Sequence, residues 1–324
     1  MGEQTIVGGR LAGSERLEAP PAIAAAGGAE DLPCNLCGSR DYSVVFEAGV
    51  AQISRVVKCA GCGLLYANPR ARGADVDDIR DYDAEWVYEN RETTNKWRTE
   101  KESLQVRDYG STRKFLAEKF PNRGTLVEIG CGLGYLLNFF KQDGWDAVGI
   151  EPNAGLCMCA RRDLGLTAID GTLEEAKLET GSVTVATMMH VIEHVPDPLA
   201  TLREVHRILK PGGCFVMETP RYDTLMFKLL GRRERSVSCD GHIFFFTSGT
   251  LARMAEKAGF KLFKTDYVGR SMTVERLLYN VGVMSKSAAV QRVLGRISSA
   301  LGLNRMAITL NARDMQRMYL QKPA

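Results

Sequence analysis

The sequence predicts an α/β protein with a doubly wound, mostly parallel sheet and a small cysteine-rich module in front of it. Two observations support this prediction. From residue 124 onward, short apolar runs alternate with amphipathic segments of helical spacing, a rhythm typical of βαβ units in a parallel sheet. Ahead of them, four of the nine cysteines stand in two CxxC pairs, a spacing typical of a metal site in a small domain.

Composition sets the first limits. The 324 residues are 45% hydrophobic and 25% charged, which is ordinary globular usage and excludes a wholly disordered chain or a collagen-like repeat. This length fits one large domain, or one ordinary domain with a small appendage. The 42 Lys and Arg against 39 Asp and Glu leave a net charge of +3, too little to indicate nucleic acid as the partner.

Neither a signal peptide nor an apolar run of membrane-spanning length is visible in the sequence. We therefore expect a cytoplasmic, reducing setting. In that setting, paired CxxC motifs favour metal ligands over disulfides.

Residues 1–31 are predicted to be a flexible leader, followed by a zinc-ribbon module at 32–70. The module carries Cys34, Cys37, Cys59 and Cys62, with 21 residues between the two pairs and two short predicted strands. Four thiolates at this spacing fit a closed, tetrahedral structural zinc. A module this small cannot bury enough core to fold alone, so the metal would contribute folding energy. An iron–sulfur or redox site is the alternative.

Residues 71–122 are predicted to form a helical linker or lid, and residues 123–324 the main domain. Pro211-Gly212 lies in the turn predicted to end the third helix of that domain. Seven strands in this order predict a Rossmann-like sheet. The predicted strands are Leu126–Ile129, Ala147–Ile150, Leu166–Ile169, Val183–Met188, Cys214–Glu218, Lys261–Tyr267 and one within Ala307–Leu320. The predicted helices are Tyr135–Gln142, Ala154–Asp163, Pro198–Leu209 and Ser248–Ala258.

A glycine-rich turn at residues 130–134 follows the first predicted strand of the domain and opens a helix. Bare backbone lets a ligand approach closely at the carboxyl edge of a sheet. Glu151 ends the next strand, where a carboxylate can accept hydrogen bonds from both hydroxyls of a ribose. The two features together indicate a cofactor that contains adenosine.

Spacing then separates a dinucleotide from S-adenosylmethionine. The dinucleotide pattern GxGxxG needs a third glycine at the position of Tyr135. Glu128, just before the turn, would repel a pyrophosphate but suits a cationic sulfonium and an amino group. A plain tight turn in an unrelated α/β protein is the alternative, which the strand context and Glu151 argue against.

Four motifs together resemble class I S-adenosylmethionine-dependent methyltransferases: Glu128–Tyr135, Gly149–Pro152, Asp170–Glu174 and His190–Pro198. The sequence is most similar to the branch with the ubiquinone-biosynthesis O-methyltransferases and with small-molecule methyltransferases that carry an N-terminal zinc ribbon. The similarity covers residues 124–268, with the cysteine module as an accessory. Many members have Asp where this chain has Thr184, for which we expect only a small packing change.

This resemblance implies a complete cofactor site. Glu128 and the backbone of the glycine turn would hold the methionine part of the cofactor, and Glu151 its ribose. Residues 171–173 would border the adenine, and Met189 and His190 would line the side of methyl transfer. The implied binding residues are Glu128, Gly130, Cys131, Gly132, Gly134, Tyr135, Glu151, Pro152, Gly171, Thr172, Leu173, Met189 and His190.

Three side chains are candidates for the base that removes a proton from the acceptor: His242, then His194, then Tyr222. His242 lies in a segment that resembles the family's histidine, aromatic and threonine segment facing the substrate. A histidine that titrates near neutrality suits an acidic hydroxyl or carbon acid, although His242 could equally be structural.

The run His190-x-x-Glu193-His194 also matches the HxxEH motif of inverted zinc proteases. Pro196 follows at once and breaks the helix that such a protease site needs. Glu193 and His194 could also only brace the loop. Some relatives in the ubiquinone branch combine an acidic and histidine cluster here with a divalent cation, so metal dependence stays open.

Two stretches depart from the minimal fold, at 221–241 and 276–305, and we expect them to select the substrate. The second carries five basic residues and no acidic one, with apolar residues at helical spacing. The favoured interpretation is a lid helix that packs its apolar face on the domain. The alternative is peripheral contact with an anionic lipid surface, or with a lipid-linked or phosphorylated substrate.

The sequence thus predicts a methyltransferase that uses S-adenosyl-L-methionine, with structural Zn²⁺, to methylate an oxygen or carbon of a small molecule. A sugar, a phenolic compound, a natural product and a lipid-linked intermediate all fit. One rival hypothesis is an RNA methyltransferase that grips nucleic acid with the zinc module, which the weak net charge argues against. A non-catalytic scaffold that binds the cofactor is another. Neither the acceptor nor the oligomeric state is predicted.

Overall fold

The structure is a computed structural model. The structure describes residues 30–47, 55–70, 83–90, 96–234, 237, 241–278, 293–294, 296–298, 301–303 and 306–324. The predicted leader up to residue 29 and most of the predicted insertion at 276–305 lie outside these residues.

The cysteine module, residues 32–70, forms a small antiparallel sheet. Its strands pair in the order β1 (Tyr42–Phe46), β2 (Val56–Cys59) and β3 (Leu65–Ala67), and they include the two predicted ones. Glu30 and Arg70 exchange backbone hydrogen bonds of 3.0 and 3.1 Å. Asp31 accepts hydrogen bonds from the side chains of Tyr42 and Asn68. The last two residues of the predicted leader are therefore tied to the module.

Two helices lie within the described part of residues 71–122. In α1 (Ala84–Glu89), the side chain of Asp83 caps the first turn by accepting from the N–H of Trp86. The longer α2 (Lys96–Lys119) buries Tyr109 and Leu116 against the main domain. This helix is thus held through its C-terminal half.

A seven-stranded sheet forms the centre of the main domain, which confirms the predicted fold class. Five neighbouring strands are parallel, and a long antiparallel pair closes one edge. The strands are β4 (Thr125–Ile129), β5 (Asp146–Glu151), β6 (Thr167–Asp170), β7 (Val183–Met189), β8 (Leu209–Pro220), β10 (Lys261–Thr273) and β11 (Ala307–Gln321), in the spatial order β10-β11-β8-β7-β4-β5-β6.

Most helices of the main domain begin at a polar cap. Asn153, Asp197 and Thr247 each accept a hydrogen bond from an N–H of the first turn of their helix. Gly165 ends α4 in the left-handed conformation. The helices are α3 (Tyr135–Gln142), α4 (Ala154–Leu164), α5 (Pro198–Ile208), α6 (Leu225–Leu230) and α7 (Ser248–Lys257).

The sheet buries a different set of partners on each face. Buried side chains of α2, α3 and α4 pack in one hydrophobic cluster with residues such as Leu126 of β4. Those of α5 and α7 pack in a second cluster with the next residue of the same strand, Val127. Alternate residues of a strand point to opposite faces, so the two clusters are the two layers expected of a doubly wound fold.

The cysteine module joins the second layer. Its residues Leu36, Val57 and Leu64 are buried in the same cluster as α5 and α7. A short strand of the main domain, β9 (Phe244–Phe245), also pairs with β3 and extends the module to four strands. The module and the domain therefore share both a core and a sheet.

One local prediction differs from the structure. The turn predicted at residues 210–213 lies within the irregular beginning of β8, which starts at Leu209 directly after α5. Backbone hydrogen bonds of Gly212 and Gly213 run to Lys322 near the C-terminus. Pairing with this distant segment extends the strand beyond the predicted Cys214–Glu218.

The predicted lid at 276–305 is described only in part. Among the apolar residues at helical spacing in this stretch, Val293, Ile297 and Leu301 are 54%, 43% and 65% exposed, and Leu294 is half-buried. Most of the remaining residues of the predicted lid lie outside the described ones. Within the described residues, no helix is both long and apolar enough to cross a lipid bilayer.

Candidate functional site

The glycine turn after β4, here called the donor loop (residues 130–134), is shaped by backbone that only glycine adopts easily. Gly130, Gly132 and Gly134 have φ of 72°, 55° and 85°. A Cβ on Gly130 would lie 2.3 Å from Val191 Cγ2. A Cβ on Gly134 would lie 2.9 Å from the Cβ of Ala160. The loop therefore presents main chain to the carboxyl edge of the sheet, which is the ligand edge of such folds.

Two buried carboxylates stand beside this loop. Glu128 on β4 and Glu151 at the end of β5 are 3% and 6% exposed. Glu151 accepts hydrogen bonds from the N–H of Gly132 (2.8 Å) and of Asn153 (3.0 Å). Burial first, and then the charges of Glu128 and Glu151, raise the pKa of the Cys131 thiol well above its usual value. A negative potential of this kind suits a cationic ligand group and disfavours a pyrophosphate.

A cavity opens beyond Glu151, between the ends of β5 and β6. Its volume is about 500 Å³. The predicted Pro152 and Gly171 lie on its wall, whereas Leu173 is buried in the core and the N–H of Thr172 donates to Glu175. The other wall residues are Ala154, Asp170, Glu175 and Lys177. None of them was predicted from the sequence as a binding residue. Asp170 ends a parallel strand, and that position could have indicated a binding residue.

The donor loop, Glu151 and this cavity together fit an adenosine-containing cofactor with a positive charge. The close approach at Gly130 and Gly134 leaves bare backbone, Glu151 stands where a ribose is bound in doubly wound sheets, and the cavity continues outward from it. S-adenosylmethionine satisfies each of these features.

His190 marks the other side of this edge, where β7 ends. Its φ of 60° lies in the left-handed region, which costs a non-glycine residue free energy and is often found at functional sites. Its N–H donates to the carbonyl of Glu218 (2.8 Å). Its ring lies between two carboxylates, with Nε2 3.2 Å from Glu218 Oε1 and Nδ1 3.6 Å from Glu193 Oε1. The neighbouring Met189 is buried.

Glu193, His194, Tyr222 and His242, which with His190 we call the acceptor cluster, come together although they lie up to 52 positions apart in the sequence. The rings of His194 and His242 are 4.6 Å apart in an edge-to-face arrangement. Tyr222 Oη and His242 Nδ1 are 3.2 Å apart and share a hydrogen bond. The structure thus brings all three predicted base candidates into one place.

The hydrogen bond of His194 identifies its tautomer. Its Nδ1 lies 2.8 Å from the carbonyl oxygen of Gly241, and a carbonyl can only accept. Nδ1 therefore carries the hydrogen, and the lone pair of neutral His194 resides on Nε2. This nitrogen can accept a proton or bind a cation.

Glu193 is the most deeply buried member of the acceptor cluster. Burial raises the pKa of its carboxyl, but His190 and the nearby His194 outweigh that effect and lower the pKa to about 2. Neither carboxylate oxygen has a hydrogen-bond partner among the described residues. Glu193, His194 and His242 each offer one ligand atom, all within 4.8 Å of one another. Their types and spacing could hold a divalent cation.

Sequence reasoning missed the residues that support His190. Glu218 on β8 is fully buried; burial raises the pKa of its carboxyl, but the charge of Arg317 and the contact with His190 lower it to about 2. Arg317 on β11 lies directly opposite, with Nη2 2.6 Å from Glu218 Oε2. A charged residue inside an apolar strand was the signal available for Glu218. The partner of Glu218 depends on pairing between distant strands.

The four cysteine sulfurs of the module converge. Sγ atoms are 3.4 Å apart in the Cys34–Cys62 pair and also in the Cys37–Cys59 pair. Zn–S bonds of about 2.3 Å in a tetrahedron place sulfurs about 3.8 Å apart, so the donor set fits zinc. Burial raises the pKa of the Cys34 and Cys62 thiols. A nearby cation would favour the ionised form that binds metal.

Comparison with known proteins gives a family match over just over half of the chain: a model described as a methyltransferase domain covers residues 99–265. A ubiquinone biosynthesis O-methyltransferase of Ruegeria pomeroyi is 35% identical over 118 residues, which are 35% of this chain and 45% of the relative. The same-named protein of Pseudomonas paraeruginosa is 32% identical over 132 residues, 38% of this chain and 56% of the relative.

An uncharacterized 37.1 kDa protein in a transposon of Streptomyces fradiae is 33% identical over 128 residues, 37% of this chain and 36% of the relative. The chain therefore spans only part of these three relatives, from 36% to 56% of their lengths.

One solved structure above a TM-score of 0.5 shares the fold. A chain of the complex between the Haloferax volcanii Trm112 methyltransferase activator and a methyltransferase matches with a TM-score of 0.51 at 16% identity, covering 79% of this chain and 100% of that chain. An S-adenosylmethionine-dependent methyltransferase of Archaeoglobus fulgidus gives a TM-score of 0.48 at 19% identity, covering 74% and 100%.

Proposed function

Because this chain belongs to the methyltransferase-domain family, we propose that it transfers a methyl group from S-adenosylmethionine to an oxygen or carbon of a small molecule. The observation that carries this proposal is the juxtaposition at one sheet edge of a glycine cradle with buried carboxylates and a cluster of two histidines and a tyrosine. The sulfonium supplies an activated methyl group. The residues of the chain then have to align donor and acceptor and manage a proton.

On the donor side, Glu128 and the backbone of the donor loop hold the methionine part, and Glu151 accepts hydrogen bonds from the ribose hydroxyls. Gly171, which lies on the cavity wall, borders the adenine. Binding in this order directs the sulfonium toward His190 at the end of β7, since β7 lies next to β4 in the sheet.

On the acceptor side, His242, His194 and Tyr222 supply the group that accepts a proton. His242 is the favoured candidate for the base because it is buried and hydrogen-bonded to Tyr222, which keeps its ring in one orientation. His194 follows, since its Nε2 lone pair is available in the neutral form. The names of the relatives favour an oxygen acceptor.

The decisive experiment separates binding from transfer. Calorimetry should give binding of S-adenosylhomocysteine and no response to NADH; the opposite result would contradict the proposal. A panel of phenols, sugars and nucleotide-sugars is then screened by release of S-adenosylhomocysteine. With an active acceptor, His242→Asn should lower turnover by about 10²- to 10⁴-fold without changing donor affinity.

His194→Asn and Tyr222→Phe extend this test to the other base candidates. Unchanged turnover in all three variants would remove the acceptor cluster from the chemistry. Binding of S-adenosylhomocysteine together with cellular methylation that stays intact when all three base candidates are substituted would favour the non-catalytic scaffold. A salt-sensitive gel shift with RNA would favour the rival RNA methyltransferase, because contacts to phosphates weaken steeply with salt. Vesicle binding that survives removal of residues 282–305 would remove the membrane contact predicted for that stretch.

We also propose that the four cysteines bind one structural Zn²⁺. The supporting observation is their convergence at 3.4 Å within each close pair. Elemental analysis of the purified chain should give about one zinc per chain. Iron in its place would favour the iron–sulfur alternative.

A further inference from the structure

The cysteine module and the acceptor cluster are joined by backbone hydrogen bonds. In the pairing of β3 with β9, Tyr66 lies opposite Phe244 and Leu65 opposite Phe245. Just before β9, the carbonyl of Ile243 accepts a hydrogen bond of 2.8 Å from the N–H of Ala67. We call these contacts between β3 and residues 243–245 the β3–β9 seam. The residue preceding Ile243 is His242, the favoured candidate for the base, so the seam ends one position away from it.

The same short segment is bonded on its other side to the loop after β7. The N–H groups of Ile243 and Phe244 both donate to the carbonyl of Glu193, at 2.9 and 3.0 Å. The carbonyl of Gly241 accepts from His194. Residues 241–244 therefore lie between the module and the loop that carries Glu193 and His194, and they transmit the position of one to the other.

Side-chain packing adds a second connection. Val56 and Leu65 of the module share a hydrophobic cluster with Tyr222 and Phe245. The ring of Tyr222 packs edge-to-face against Phe245, with centroids 5.0 Å apart. The wall behind the Tyr222–His242 hydrogen bond is thus built partly from the module.

Side chains of the main domain form hydrogen bonds with the module at the two turns that carry the cysteines. Lys257 Nζ donates to the carbonyl of Leu36 (2.6 Å), and Arg253 donates to the carbonyl of Cys62. Asn35 donates to Asp197 (2.8 Å) at the beginning of α5. The two carbonyls and the Asn35 side chain are in place only while the two cysteine turns keep their shape, and metal binding is what stabilises such turns in a small module.

The donor loop is supported differently. The N–H groups of Gly130 and Cys131 donate to the carbonyl of Ile150, and that of Gly132 donates to Glu151. These bonds join adjacent parallel strands of the central sheet. Their formation depends on the β4–β5 pairing rather than on the turns of the module.

We propose that the metal of the cysteine module positions the acceptor side of the site and not the donor side. Ile243 and Phe244 are the positioning residues, and they hold His242 in register through the β3–β9 seam. The inference rests on the proposed zinc site, and on the proposed function in naming this side the acceptor side.

Hydrogen exchange of the full chain tests this coupling without an acceptor. Zinc-loaded wild type is compared with Cys37→Ser, which removes one ligand, and with Cys37→His, which keeps four ligands because imidazole is a common zinc ligand. In Cys37→Ser, exchange in peptides covering 241–247 should accelerate by about tenfold or more, while peptides covering 128–134 stay unchanged. Cys37→His should restore the protection of 241–247.

Two results would overturn the proposal. Unchanged protection at 241–247 after zinc loss would show that the seam is independent of the metal. Equal loss of protection at 128–134 would show that the metal supports the whole domain. Chelation followed by return of zinc repeats the comparison in the wild-type chain.

A calorimetric titration with S-adenosylhomocysteine runs in parallel on each form. Affinity should stay within about twofold between zinc-loaded and zinc-free chain, and a much larger loss would contradict the proposed independence of the donor side. Failure of the wild type to bind S-adenosylhomocysteine would count against the proposed function alone, since the exchange data would still decide the coupling.

Discussion

The donor edge and the acceptor edge of this site are built by different means. The donor edge comes from three successive strand ends, β4, β5 and β6, within residues 128–177. The acceptor edge gathers residues 190–194, 218, 222 and 241–245, with the cysteine module and Arg317 behind them. The first is short-range in sequence, whereas the second depends on contacts between segments more than 100 positions apart.

The two edges also use different interactions. At the donor edge, glycine backbone and N–H groups create the site, with Glu151 as the side chain that closes it. Both edges bury carboxylates, but those of the acceptor edge face cationic or titratable side chains: Glu218 pairs with Arg317, and Glu193 lies beside His190. Buried charges are stable only with their partners. The acceptor edge should therefore be more sensitive to loss of one side chain, and the donor edge to an added Cβ.

The largest effect is expected for Glu218→Gln. This change leaves Arg317 buried without its counter-charge, and breaking a buried pair in this way costs about 3–5 kcal/mol of stability. Urea unfolding measures it. Glu204→Gln is the matched control, since it breaks a more exposed pair with Arg207 and should cost less than about 1 kcal/mol. Equal losses in both variants would contradict the special role of the buried pair.

The second-largest effect is expected in the pH dependence of stability, through the carboxylate of Glu193. The folded-state pKa of Glu193 is about 2, below the ordinary value of 4.5. Its ionised form therefore stabilises the fold above pH 4.5, and this contribution of about 3 kcal/mol is lost as the pH falls to 2. In Glu193→Gln this part of the pH dependence should disappear. Glu118→Gln, at an exposed carboxylate, serves as the control in urea titrations from pH 6 to pH 2.

At the donor edge, Gly130→Ala should weaken binding of S-adenosylhomocysteine by about a hundredfold, because the new Cβ displaces Val191 and the loop with it. Gly165→Ala is the control: its φ is also positive, at 60°, but nothing lies within 4 Å of the added Cβ. Affinity there should stay within about twofold, although the positive φ should cost about 1 kcal/mol or more of stability. A similar loss of affinity in the two variants would show that backbone strain, and not the cradle, is responsible.

Glu151→Gln is expected to have the smallest of these effects, about a tenfold loss of donor affinity. It keeps the shape of the side chain, but the amide can accept only one of the two backbone hydrogen bonds that Glu151 accepts from Gly132 and Asn153, and its NH2 group faces the other N–H. Calorimetry checks this value, with Glu174→Gln as the control. The carboxylate of Glu174 accepts a hydrogen bond from Thr201 and does not line the cavity. No loss in Glu151→Gln would contradict its role at the ribose.

The sequence predicted those features that depend on residues only a few positions apart. The strands and helices from residue 125 to 208 were placed within one or two residues, because hydrophobic periodicity and caps such as Asn153 and Asp197 act within a few positions. For the same reason, the glycine turn, the buried Glu151 and the converging cysteines lie where the sequence pattern placed them. The base candidates were identified one by one, without a reason to expect the hydrogen bond between Tyr222 and His242.

Amino-acid order by itself determined the family, the glycine turn with Glu151 and the paired CxxC spacing of this protein. Parallel strands in series bring their carboxyl ends to one edge. Only the tertiary structure decided that β9 joins the sheet of the cysteine module, that Arg317 stands opposite Glu218, and that Glu193 lies buried among histidines. Those arrangements depend on strand pairing across long loops. Their free energy comes from shared burial and paired charges, which no local window of sequence contains.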